Sequence, residues 1–146
     1  MTDPTPPRDQ IVPTTVLLVG HCTADTWMLR TTLGRILPDA VLQPVNDETS
    51  LNNQLATTIG PVVMLVNRLL DGRFPHADGI RLLEHHSSSP AVGMLISNLA
   101  DAQDSARGVG AVDGFGKTAL NDDQTAVRLR NADAAAQRIR AEGDAS

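Results

Sequence analysis

Hydrophobic residues fall in short, unbroken blocks. Val16-Leu17-Leu18-Val19, Val62-Val63-Met64-Leu65-Val66 and Val92 to Ile96 are runs of four or five residues bounded by glycine, proline or polar side chains. Runs of that length, rich in valine and leucine, predict strands buried on both faces. Val41 to Val45 is a weaker strand and carries Pro44, which suits a sheet edge. A short fifth strand is predicted within Val109 to Phe115. Between these blocks the spacing becomes helical. From about Thr23 to Leu37, the residues Leu29, Leu33, Ile36 and Leu37 share one face, Thr23 is a candidate N-cap, and Pro38-Asp39 ends the segment. Leu51, Leu55 and Ile59, four apart, predict a helix from about Glu48 to Thr58. Gly79 to about His86 and Asp101 to Arg107 predict two short helices, and Asn121 to about Arg140 a last, Ala/Asp/Arg-rich one.

Strand and helix therefore alternate five times without an internal repeat. Parallel strands need crossovers, so this rhythm predicts an α/β domain, an open parallel sheet with helices on both faces. Met1 to Pro13, rich in Pro, Thr and Asp, reads as a loose tail. The domain proper is expected over 14–131, with 132–146 the end of the last helix and a flexible tail. Ala134 lies seven residues after Val127, itself seven after Leu120. That thin stripe packs on the sheet or serves as a partner surface, and Asn131 to Arg140 is expected to bury little.

Composition narrows the class. The chain has 146 residues, 41% apolar and 20% charged, as in ordinary globular domains. No apolar run approaches the ~20 residues of a membrane helix, and the N-terminus lacks the pattern of a signal peptide. A cytoplasmic location and no membrane partner are expected. Cys22 is the sole cysteine, which excludes an internal disulfide or a multi-cysteine metal site. A net charge of −5 and an aromatic content of 2% give no reason to expect a nucleic-acid partner. The basic residues are eleven arginines and one lysine, Lys117.

Ligands on parallel sheets sit beyond the C-terminal strand ends. The residues there are Gly20-His21, Asn46-Asp47, Asn67 to Asp71, Ser97-Asn98 and Gly116-Lys117. The segments VLLVGH, VVMLVN, FPHADG, MLIS and GAVDGFGKT resemble the receiver domain of two-component response regulators, from about Val16 to Arg130. The resemblance implies a (βα)5 doubly wound, flavodoxin-like fold with strand order 2-1-3-4-5. It also implies a site of two acids after the first strand, an Asp after the third, a Ser/Thr after the fourth and a Lys after the fifth. In that chemistry the Asp attacks a phosphoryl group, Mg²⁺ on the acids shields the charge, and the lysine and hydroxyl balance the phosphate.

Only part of the set is present. Ser97 matches the hydroxyl residue and Lys117 the lysine, with Thr118 where proline normally follows. Gly20 and His21 stand where the acid pair should be, and Asn67 stands at the acceptor position. The aromatic position of the fifth strand that relays phosphorylation falls on Gly114, with Phe115 one place late. Asp71 offers a competing register, because Asp71 to Gly79 also fits the family's D-x-x-apolar-P-x-x-D-G spacing. It would, however, thread Asn67 and Arg68 through a buried strand, at a cost of several kcal/mol for an unpaired Arg. A loop lengthened by four residues after Asn67 is the preferred reading.

Other chemistries fit the sequence less well. Ala111 to Thr118 satisfies a permissive P-loop pattern, yet a P-loop needs a helix starting at the Lys-Thr and tolerates no acid such as Asp113 in its cradle. His85 and His86, adjacent on one short helix, are expected to point to different sides and not to share a metal. His21 beside Cys22 is read as a solvated histidine filling the space of the lost acids. A triad of Ser97 with His21 lacks the strained nucleophile elbow. The expectation is a non-enzymatic, unphosphorylated signalling module with no cofactor or metal. Its partner would be an unidentified protein, or a second copy in a weak homodimer through the fourth helix, fifth strand and fifth helix. On that face Arg107, Val112, Phe115, Val127 and Arg128 are the candidate contacts, with Arg107, Arg128 and Arg130 meeting Asp104, Asp122 and Asp123 of the partner copy. Lys117 is expected to reach toward Asn67 and Ser97 with no acid to neutralise it.

Overall fold

A computed structural model describes residues 12–145. Five parallel strands, β1 (Thr15–Val19), β2 (Val41–Val45), β3 (Val62–Asn67), β4 (Val92–Ile96) and β5 (Val112–Phe115), form one sheet in the order β2-β1-β3-β4-β5. The helices α1 (Thr23–Ile36), α2 (Glu48–Thr57), α3 (Gly79–His85), α4 (Ala100–Gly108) and α5 (Asp123–Ala145) alternate with the strands. The fold is thus the flavodoxin-like arrangement that the resemblance implies.

Alternation along the strands sorts the core into two layers. Val16, Leu18, Val63, Leu65, Met94 and Ile96 pack under α1 and α5, against Leu29, Leu33 and Leu129. Leu17, Val19, Met64, Val66 and Leu95 face the other way, against Leu51, Leu82, Leu83, Ala102 and Ala106 of α2, α3 and α4. The three inner strands are buried on both faces, as their continuous apolar runs require. β2 is the edge that Pro44 suggested, with alternate residues open to solvent.

The α5 expectation needs correction. The stretch after residue 131 is helix through Ala145, and Ala132 and Ala136 are fully buried in the core. The seam is Thr125, Leu129, Ala132 and Ala136, spaced by three and four, whereas Val127 and Ala134 of the seven-residue stripe are exposed. A helix lying on a sheet keeps its 3.6-residue period, so a strict repeat of seven drifts off the contact line. Small alanines bury little area each but let the helix approach closely. Two boundaries also shift. Cys22, not Thr23, caps α1, its Sγ accepting from the Asp25 N–H, and Ile59 lies beyond the end of α2, exposed. Of the expected N-terminal tail, residues 1–11 lie outside the described residues. Thr14, just before β1, is tied by its hydroxyl to Asp133 and Gln137 of α5.

Candidate functional site

The C-terminal strand ends gather most of the expected residues, but in a closed arrangement. Asn67 is the last residue of β3, and Asp71 lies four residues on, exposed in the 68–78 loop. The Asn67 side-chain amide donates to the Gly20 carbonyl at 3.0 Å and to the Leu69 carbonyl at 2.9 Å. It therefore works as a brace between the end of β1 and the loop. Gly20 has φ +75, and a Cβ there would lie 2.5 Å from Leu70 Cδ2 and 3.1 Å from Leu70 Cα. The volume an acid side chain would need at position 20 is filled by the loop.

That loop is held by backbone bonds. The Asp71 N–H donates to the Gly20 carbonyl at 2.9 Å, and the Arg73 N–H to the Asn46 carbonyl at 2.8 Å. The Asn46 amide in turn donates to the His21 and Asp71 carbonyls, both at 3.0 Å. Gly72, at φ +122, lets the chain pass so close to Asn46 that a Cβ would lie 2.0 Å from its carbonyl oxygen.

His21 is not the solvated residue expected from the sequence. It is 2% exposed, its Nε2 donates 2.8 Å to the Leu65 carbonyl, and its Nδ1 is buried without a partner. Burial is the main reason its pKa lies below the usual histidine value, and the nearby Lys117 charge adds to this. The imidazole is a buried wedge that ties the exit of β1 to β3.

Lys117 also departs from expectation. It turns to α1, where its ammonium meets Asp25 at 2.5 Å, rather than reaching toward Asn67 and Ser97. The pair lowers the Asp25 pKa. The side chains keep 35% and 19% of their exposure, so solvent screens much of the attraction. Replacing Lys117 by Met should cost about 1 kcal/mol, and in a double-mutant cycle with Asp25→Asn most of that cost should vanish. Urea denaturation of the four proteins measures it, and full additivity would show that the ion pair contributes nothing.

Ser97 Oγ accepts from the Leu99 N–H at 3.1 Å, a local turn with no link to His21, so no triad forms. Asn98 holds the β5 exit, its Oδ1 accepting from the Thr118 N–H and hydroxyl at 3.3 and 3.0 Å. The P-loop reading also fails on geometry. Lys117–Ala119 is one turn of 3-10 helix, α5 begins only at Asp123, and Asp113 pairs with Arg107. No helix N-terminus stands behind the Lys-Thr to receive a phosphate.

At β5, a Cβ on Gly114 would lie 2.0 Å from the Leu95 carbonyl oxygen, so no aromatic ring fits there. Gln103 of α4 fills this place. Its amide donates to the Leu95 and Ser97 carbonyls at 2.9 and 3.1 Å and accepts from the Gly114 N–H at 3.1 Å. It bridges β4 and β5 where their register shifts. The expected contact face changes accordingly. Phe115 is buried in the core, Arg107 pairs with Asp104 and Asp113 of its own chain, and Arg128 donates to the Gly114 carbonyl at 2.6 Å. Val112 is half-buried, while Val127 is exposed.

His85 and His86 meet instead of diverging, with ring centroids 4.8 Å apart. The helical spacing rule does not apply across this pair, because His86 is the C-cap of α3 with non-helical φ −100 and ψ 14.

Sequence reasoning assigned no role to Asp25, Asn46, Leu70 or Gln103. Asp25 carried the signal of a first-turn acid, and Asn46 that of a strand-end polar residue. Nothing local marked the other two.

No family model matches the sequence, and no curated protein matches it. Solved structures do. The signal receiver domain of a DNA-binding response regulator from Colwellia psychrerythraea 34H superposes with a TM-score of 0.62 at 17% identity, covering 82% of this chain and 97% of that one. A response regulator from Thermotoga maritima gives 0.63 at 14% identity, over 84% and 99% of the two chains. NtrX from Brucella abortus gives 0.66 at 18% identity, over 93% of this chain and 30% of its own. At such identities the likeness is one of architecture, and the chain has the fold of response-regulator receiver domains.

Proposed function

We propose that this chain is a receiver-fold signalling module that accepts no phosphoryl group, catalyses no reaction and acts by constitutive contact with another protein in the cytoplasm. The observation that carries the reading is the closed strand-end site. Leu70 fills the space over Gly20, the amide of Asn67 is spent on two carbonyls, and the lysine is paired with Asp25. Mg²⁺ needs several oxygen ligands at ~2.1 Å, usually including carboxylates, and the positions that supply them in receivers are here glycine, a buried imidazole and an amide. Asp71, were it the acceptor, would still lack those ligands. Among the described residues no helix is long and apolar enough to cross a membrane. Calorimetric titration with Mg²⁺ tests the reading. No binding is expected in the millimolar range, and saturable binding below 1 mM, an affinity of about 4 kcal/mol, would overturn it.

For the partner, we propose weak self-association through α4, β5 and α5. The charged side chains on that face are Asp104, Arg107, Asp113 and Arg128, whereas Asp122, Asp123, Val127 and Arg130 border α1 beside Arg35 and Ile36. Mixed charges steer association more than they tighten it, so a salt-sensitive dimer is expected. Sedimentation at low and high salt measures this, and a strict monomer at high concentration in low salt would leave only a different protein as partner.

A further inference from the structure

Away from the strand ends, a cleft of about 320 Å³ opens between the start of α2, the end of α3 and the 68–78 loop. At its wall stand Glu48, the first residue of α2, His85, the last of α3, and His86, the α3 C-cap. One ligand atom from each lies within 4.8 Å of the others. The His86 side chain is only 9% exposed, and its Nε2 is buried with no hydrogen-bond partner, 3.6 Å from Glu48 Oε1. A buried imidazole nitrogen left unpaired beside a carboxylate is a cost that the fold does not offset internally.

We infer that Glu48, His85 and His86 form a binding site for a borderline divalent transition-metal ion, Zn²⁺ being the natural probe. Two imidazoles and a carboxylate are the donor set zinc takes, at ~2.0–2.2 Å from each ligand, with water from the cleft as fourth ligand. Tetrahedral ligands at that distance lie about 3.4 Å apart, so side-chain rotations of roughly 1 Å bring the three atoms into place. His86 Nε2 then gains the partner it lacks, and the ion ties the first turn of α2 to the end of α3. Hard cations such as Mg²⁺ prefer oxygen ligands and are not expected here.

Calorimetry of the untagged full chain with Zn²⁺ tests the site. One equivalent should bind, and Zn²⁺ should raise the melting temperature because the site does not exist in the unfolded chain. His85→Ala and Glu48→Gln alter side chains at or near the surface, and each should weaken binding by about 100-fold, the upper end of what even outer-shell changes cost. Cys22→Ser should leave binding unchanged. Absence of binding at 100 μM Zn²⁺ (an affinity below roughly 5.5 kcal/mol) would overturn the assignment. So would binding that survives both ligand variants, or binding abolished by Cys22→Ser.

Discussion

Placing carboxylates at two of the strand-end positions, by Gly20→Asp with Asn67→Asp, is expected to yield a protein about 4 kcal/mol less stable than the natural chain and still inert to phosphoryl donors. The reasons are local. Any side chain at position 20 must take φ +75, which costs a non-glycine residue about 1–2 kcal/mol. Its Cβ must also push Leu70 away, and Leu70 Cα, only 3.1 Å off, moves only with the loop. At position 67 a carboxylate would aim an oxygen at the Gly20 and Leu69 carbonyls, where the amide now donates at 3.0 and 2.9 Å. Two hydrogen bonds become two repulsions. Urea denaturation gives the magnitude. A double variant as stable as the natural chain would mean that the loop does not occupy the acid pocket.

The second large effect concerns pH. His21 has its pKa lowered by burial in the folded state, and the Lys117 charge pushes the same way while the hydrogen bond to the Leu65 carbonyl and the Asp25 charge oppose it. Its folded pKa lies below 6.5, so between 6.5 and that lower value the unfolded chain binds a proton that the folded chain does not. Stability is therefore full above about pH 6.5 and falls as the pH drops, by up to about 1.4 kcal/mol per unit for this one group, until the folded pKa is reached. His21→Gln keeps an N–H that can face the Leu65 carbonyl but cannot titrate. The difference between the two pH profiles, measured by denaturation from pH 7.5 to 5, isolates the contribution of His21. Parallel profiles would show that the imidazole titrates in the fold as it does in the unfolded chain, as a solvated ring would.

The architecture was legible because the signals for it are local. Val16 to Val19, Val62 to Val66 and Val92 to Ile96 are too short and too uniformly apolar to be anything but inner parallel strands, and they occupy those places. Pro44 marked the edge for an equally local reason, its missing N–H. The site was legible only as a list of absences. That Gly20, His21 and Asn67 stand at the strand ends can be read from their positions, but what fills the space around them cannot. Leu70 reaches Gly20 through a loop whose path depends on Gly72 and on the Asn46 amide. Lys117 and Asp25 are 92 residues apart in sequence, and the pairing arises because the β5 exit faces the first turn of α1. His85 and His86 were misjudged because a helical rule was extended one residue past the helix end. As a sheet-packing seam the seven-residue stripe of α5 fails similarly, because a helix that packs on a sheet keeps a 3.6-residue period.

Closure of the strand-end site to phosphoryl chemistry is tested most directly by intact-mass measurement after incubation with acetyl phosphate and Mg²⁺. The account predicts an unchanged mass for the whole population. A stoichiometric gain of one phosphoryl group, stable in acid and removed by hydroxylamine, would contradict it and assign the acceptor to an aspartate, Asp71 first.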